Sequence, residues 1–85
     1  MDASVIDLKV FAPKYRQALL YTMIEGLTEG SSFLFFDDRC PHDIERELAE
    51  AGLSGYHWIR TVGRVPSEIG YQIVRQNHII DTSNL

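Results

Sequence analysis

The apolar residues near the start of the chain recur at every second position, which is the period of a strand buried on one side. Between Val5 and Phe11, the residues Ile6, Leu8 and Val10 lie on one face of such a strand. Ala12-Pro13 interrupts this pattern. A proline suits the first position of a helix, because its missing N–H would have no partner there. We therefore predict a strand from Val5 to Phe11 and the start of a helix at Pro13.

The period then changes from two residues to between three and four. Apolar residues at i, i+3, i+4 and i+7 form one face of a helix, and here they are Leu20, Met23, Ile24 and Leu27. Gly26 near the end of this pattern and the turn at Thr28-Glu29-Gly30 mark its end. The first helix is predicted from Pro13 to Leu27.

A second strand and a second helix follow. The apolar run Ser32–Phe36 is closed by a polar cluster, which is typical of a buried strand. The next helix is predicted from Pro41 to Ala51, with Gly52 as its C-terminal cap. Its apolar face has residues at i, i+4 and i+7, namely Ile44, Leu48 and Ala51.

Two more alternating segments, Tyr56–Val62 and Glu68–Gln76, are predicted as strands joined by a hairpin loop. The resulting order, β-α-β-α-β-β, predicts an α/β two-layer sandwich in which a four-stranded mixed sheet has both helices on one face. The first two strands should be parallel and joined by a right-handed crossover. The domain is predicted to cover residues 1–76, and residues 77–85 a mostly polar C-terminal tail.

This fold also predicts a core that both helices share with the sheet. Its expected members are Ile6, Leu8, Val10, Leu20, Ile24, Leu27, Leu34, Phe36, Ile44, Leu48 and Ile73.

The same topology predicts where a ligand would bind. Each helix begins at the carboxyl end of the strand before it, so both helix N-termini should lie at one edge of the sheet. Ligand sites in open α/β sheets favour that edge. The candidate ligand-binding residues at this edge are Lys14, Arg16, Gln17, Asp38, Arg39, Cys40 and His42.

Composition narrows the class of protein. The chain has 85 residues, which suits one domain with a single core. Its net charge of −4 argues against nucleic-acid binding, which usually requires a basic patch. No segment approaches the roughly 20 apolar residues of a membrane span, and the N-terminus does not resemble a signal peptide. With a single cysteine and thus no internal disulfide, a cytoplasmic protein is expected.

Several short motifs, taken in order, resemble a known family. They are Asp7-Leu8 with Pro13 and Arg16, then Gly26-Leu27-Thr28-Glu29-Gly30, then Phe35-Phe36-Asp37-Asp38 with Pro41, and finally Tyr56-His57-Trp58. Together they resemble the TusA/SirA-like superfamily, and within it a branch of unknown function found in many bacteria more than the sulfur carriers. The resemblance covers about Val5 to Val74 and implies a two-layer sandwich with two helices on one face of a four-stranded sheet.

Three departures from that family bear on function. Its sulfur carriers hold a persulfide on a Cys-Pro pair before the first helix, where this chain has Ala12-Pro13. The bacterial branch has an Arg-His pair where this chain has Arg16-Gln17, and an Asp-His-Asp-Pro run where it has Asp38-Arg39-Cys40-Pro41. Because both histidines are missing, we expect neither a metal nor another cofactor.

The charged and thiol side chains at the edge each have two interpretations. Arg16 and Arg39 can hold an anion, since guanidinium groups suit carboxylate and phosphate, or they can be neutralised by internal ion pairs such as Arg39 with Asp37 or Asp38. Cys40 lies beside a helix N-terminus, which favours a reactive thiolate. The nearby carboxylates oppose it, and free cysteines are more often small buried apolar residues. A metal held by Asp38, Cys40 and His42 is the weakest hypothesis, because no second ligand pair follows.

Two functional classes are consistent with these residues. The first is a small non-catalytic binding or regulatory module that takes a small anionic ligand or a partner protein at the shared edge. The second is a thiol-dependent sulfur-transfer or redox protein that acts through Cys40. We favour the first, because the chain lacks the family's carrier cysteine and any recognisable set of catalytic acids and bases.

Overall fold

The computed structural model describes residues 4–52 and 54–76. Their helices and strands follow in the order β1 Ser4–Asp7, a 3-10 helix Leu8–Val10, α1 Pro13–Glu25, β2 Ser32–Asp37, α2 Pro41–Glu50, β3 Tyr56–Val62 and β4 Ile69–Arg75. The predicted α/β two-layer sandwich with a four-stranded mixed sheet is confirmed. The predicted tail, residues 77–85, lies outside the described residues.

The four strands form one sheet in the order β1-β2-β4-β3. β1 and β2 are parallel, as a right-handed crossover through α1 predicts. β4 is antiparallel to both of its neighbours, β2 and β3. As a result β1, β2 and β3 all run in the same direction, and their carboxyl ends lie at one edge of the sheet. The N-termini of both helices lie at that edge.

The first strand is shorter than its alternating pattern predicts. It ends at Asp7, whose side-chain carboxylate accepts a hydrogen bond of 3.0 Å from the Lys9 main-chain N–H and so caps the 3-10 helix. This tight turn buries Leu8 and leaves Val10 exposed, so the predicted core position of Val10 is wrong. Local capping by an aspartate competes with strand pairing, and alternation alone does not reveal it.

Proline begins both helices, as predicted, with Ala12 and Cys40 as their N-cap residues. α1 ends at Glu25, before the predicted end at Leu27. Gly52 follows the C-cap of α2 with a φ of 63°, a left-handed conformation that glycine adopts without strain. In the described part of the chain, no helix has both the length and the apolar character needed to cross a membrane.

The core lies between the helices and one face of the sheet. It contains Leu8, Leu20, Ile24, Leu27, Phe33, Phe35, Ile44, Leu48, Tyr71 and Ile73. Since buried residues of both helices belong to this one cluster, both helices pack on the same face. Phe35 and Tyr71 are cross-strand partners at its centre, with ring centroids 5.4 Å apart.

The prediction of which β2 residues face the helices was wrong by one position. Phe33 and Phe35 face the helices, whereas Leu34 and Phe36, predicted for the core, lie on the opposite face. Phe36 is nevertheless buried, because the Arg64 guanidinium lies 4.0 Å from its ring centroid. In a run that is apolar on both faces, the period of two cannot say which face is covered by helices.

Candidate functional site

A buried ion pair joins the start of α1 to the end of β2. The Arg16 side chain, from the first turn of α1, is 7% exposed and donates hydrogen bonds to Asp37 at 3.0 Å and Asp38 at 2.8 Å. Its Nε also donates to the Phe11 carbonyl at 3.0 Å. The hydrogen bond from Arg16 lowers the pKa of the Asp38 carboxyl. Arg16 is therefore already bound to the end of β2.

Asp37 is the centre of this cluster, and its side chain is fully buried. Besides Arg16, its carboxylate accepts from the Arg39 Nε at 2.7 Å and from the main-chain N–H groups of Asp38 and Arg39. Arg39 in turn donates to Glu47 on α2 at 3.2 Å. Burial alone would lower the pKa of Arg39, but its hydrogen bonds to Asp37 and Glu47 raise it. Of the two interpretations of these arginines, the structure supports the one in which internal ion pairs neutralise them.

The remaining candidate residues are not all part of this cluster. Lys14 is exposed, with its amine 5.1 Å from the Tyr15 ring centroid, and Gln17 donates to the Tyr21 hydroxyl on the same helix. His42 is exposed on α2. The structure thus brings Arg16 together with Asp38 and Arg39, while Lys14 and Gln17 contact residues of their own helix.

A cleft of about 620 Å³ opens at the same edge of the sheet. One wall is the end of β2 and the start of α2, residues 37–41, and the other is the end of β3 with the loop that leads to β4, residues 60–63 and 66–69. Asp38, Arg39 and Cys40 are the predicted site residues that line it. Cys40 is exposed, and its side chain makes no capping hydrogen bond.

The carboxylates around Cys40 are neutralised to a large extent by arginines. Asp37 and Asp38 are paired as described above, and Asp43 accepts from Arg46 at 3.3 Å. The negative charge that the sequence predicts around the thiol is therefore partly compensated in the structure.

The loop wall of the cleft is held by a second buried carboxylate. The Glu68 side chain is fully buried and accepts from the Arg64 Nε and main-chain N–H, at 2.8 and 2.6 Å. Lys9 pairs with it from the turn that follows β1 at the same edge of the sheet, and Arg64 also reaches Asp7 at 3.0 Å. The hydrogen bonds to Glu68 hold its pKa well below its usual value, and those from Arg64 have the largest effect. The loop is thereby fixed to the segment that follows β1.

Gly63 fits this loop because the main chain of Glu68 lies against it. A Cβ at this position would meet the Glu68 carbonyl oxygen at 2.1 Å, so any larger residue requires the loop to move.

Arg60, at the rim of the cleft, donates to Glu45 at 2.7 Å, and this hydrogen bond raises the pKa of Arg60. The same Glu45 oxygen accepts from the Tyr71 hydroxyl at 2.8 Å.

β3 and the loop after it contribute to this site, although none of their residues is among the candidates predicted from the sequence. The signal was nevertheless present in the topology. β2 and β3 both lie antiparallel to β4. They therefore run in the same direction and end at the same edge of the sheet. Arg60 and Glu68 would have joined the candidate residues if the β3–β4 loop had been placed there.

Comparison of the chain with protein-family models, with curated proteins and with solved structures gave no match. The resemblance to the TusA/SirA-like superfamily stays a prediction. Within residues 4–52 and 54–76, no group of three or more His, Cys, Asp and Glu side chains is arranged to hold a metal ion.

The Glu68 cluster predicts how stability depends on pH. Because the pKa of Glu68 is lower in the folded than in the unfolded protein, its contribution is complete above the ordinary value of 4.5 and is lost as the pH falls below it. We expect Glu68→Gln to lower the free energy of unfolding at neutral pH and to make its decline in acid shallower than in the wild type. Urea unfolding at a series of pH values measures both effects.

The matched control is Glu50→Gln, at an exposed position of α2. It should reproduce the acid dependence of the wild type. Equal slopes below pH 4.5 for the wild type and Glu68→Gln would contradict a stabilising role of the buried Glu68 carboxylate.

Proposed function

We propose that this protein is a small non-catalytic binding module that takes a small anionic ligand into the cleft between the α2 N-terminus and the β3–β4 loop. The cleft itself is the observation that carries the proposal. Its volume of about 620 Å³ falls in the range of pockets that hold small molecules, about 300–1,000 Å³. A cytoplasmic location in a bacterium and kinship with the TusA/SirA-like superfamily belong to the same proposal.

The charge of the ligand is inferred from Arg60. Both arginines of the cleft walls are paired, Arg39 with Asp37 and Glu47 and Arg60 with Glu45, but the Arg60 side chain is 53% exposed whereas that of Arg39 is 27% exposed. A guanidinium group binds carboxylate and phosphate oxygens well. The clamped walls favour binding too, because a site that is already ordered loses little conformational entropy when it is occupied.

Inorganic phosphate is a suitable first probe. We expect a phosphate titration of the ¹⁵N-labelled protein to give saturable amide shifts confined to residues 37–41 and 60–69. Arg60→Gln should raise the dissociation constant for phosphate about tenfold, since hydrogen bonds to charged groups contribute roughly 1.5–3 kcal/mol.

The control is Arg46→Gln, which removes an equally exposed arginine of α2 that pairs with Asp43 and lies outside the cleft. Its titration should match that of the wild type. Shifts that rise linearly with phosphate over the whole surface, or that Arg60→Gln leaves unchanged, would contradict the proposal.

A thiol function is the second candidate, supported by the exposure of Cys40 on the wall of the cleft. A sulfur carrier needs a thiol that a partner enzyme can approach, and Cys40 meets that requirement. Against it stands Ala12-Pro13, which occupies the position where the family's carriers have Cys-Pro.

We expect Cys40 to accept sulfur poorly. Incubation with a cysteine desulfurase and cysteine, followed by intact-mass measurement, should leave most of the protein at its original mass. The Cys40→Ser variant is the control for sulfur bound elsewhere. A stoichiometric gain of one sulfur atom that is absent in Cys40→Ser would favour sulfur transfer over the binding module.

A further inference from the structure

The outer edge of β3 is the longest free strand edge in the described part of the chain. β3 is the last strand of the sheet, and its seven residues pair with β4 in continuous register. The opposite edge strand, β1, has four residues. An edge strand presents unpaired N–H and C=O groups that can pair with another strand.

The orientation of the β3 main chain follows from one hydrogen bond. The Gln76 N–H donates to the Gly55 carbonyl at 2.9 Å, in line with the β3–β4 register. Because antiparallel strands alternate between hydrogen-bonded and non-hydrogen-bonded pairs, the main chain of residues 57, 59 and 61 points to β4. The groups that point away from the sheet are therefore those of Tyr56, Trp58, Arg60 and Val62.

Within residues 4–52 and 54–76, the only one of the usual protective devices along this edge is a single charged residue. The strand has no proline, lysine or bulge, and Arg60 is its only charged residue. Ile59 is 50% exposed and Val62 is more exposed still. Soluble proteins usually protect long, regular edges of this kind with charges, prolines, bulges or a covering segment.

We propose that β3 pairs with β3 of a second copy of this chain, antiparallel and about a twofold axis at Ile59. The strand is complementary to itself in this register. Trp58 faces Arg60 of the second copy, which allows a cation–π contact, and Tyr56 faces Val62. The two Ile59 side chains meet at the axis, and the two sheets join into one.

Neighbouring registers are poorer. If the axis moves by one residue towards Val62, the two Arg60 side chains lie opposite each other, and like charges in that position are destabilising. If it moves by one residue towards Tyr56, Thr61 and Val62 lose their partners. Only the axis at Ile59 pairs the whole strand, from Tyr56 to Val62.

Sedimentation equilibrium over a range of protein concentrations tests this proposal. We expect a dimer in the wild type, and a dissociation constant at least about tenfold higher in Ile59→Lys, because two lysines then face each other at the axis. The matched control is Val5→Lys. Val5 is 58% exposed and lies in the same cross-strand row as Ile59, next to Leu34 and Gln72, but on the other edge strand.

A charge-reversal experiment tests the register. An equimolar mixture of Ile59→Lys and Ile59→Glu should restore the dimer, since opposite charges then meet at the axis, while either variant alone stays dissociated. Circular dichroism verifies that each variant is folded. A wild type that is monomeric at every concentration, a dimer that Ile59→Lys leaves intact, or one that Val5→Lys disrupts as strongly would overturn the proposal.

Discussion

The buried carboxylate of Asp37 is the interaction on which the site depends most. A charged group without water is costly unless other charges and hydrogen-bond donors surround it. Asp37 obtains them from Arg16 on α1, from Arg39 before α2 and from the main chain that follows β2. One carboxylate thus fixes the starts of both helices to the end of one strand.

The same organisation is repeated on the other wall of the cleft. Glu68 is also a fully buried carboxylate, and Arg64 and Lys9 neutralise it. The cleft therefore lies between two segments that are each held by a buried acid with two basic partners. Arg16, Arg39 and Arg64 are used to build the walls, whereas Arg60, although paired with Glu45, is the most exposed guanidinium at the rim.

The fold could be predicted because its periodic patterns are long and its prolines and glycines are well placed. The helix face with Leu20 and Ile24 and the start of α2 at Pro41 illustrate this. The inner face of β2 could not be predicted, since Phe33 and Phe36 are both buried, on opposite faces. The site was predicted in part. The topology predicted from the sequence places Arg16 near Asp38. It does not reveal that Asp37 and Asp38 already neutralise Arg16, because that depends on side-chain geometry.

The most direct test of the central role of Asp37 is a double-mutant cycle with Arg16, measured as free energies of unfolding in urea. Removal of one partner of a buried ion pair costs about 3–5 kcal/mol, because it leaves a charge uncompensated. We expect Arg16→Met and Asp37→Asn each to destabilise the protein on this scale. The double variant should lose less than the sum of the two by at least about 1 kcal/mol. An equivalent cycle on the exposed pair Asp43 and Arg46 is the control, and its losses should be additive. Losses that are just as additive for Arg16 and Asp37 would contradict the coupling.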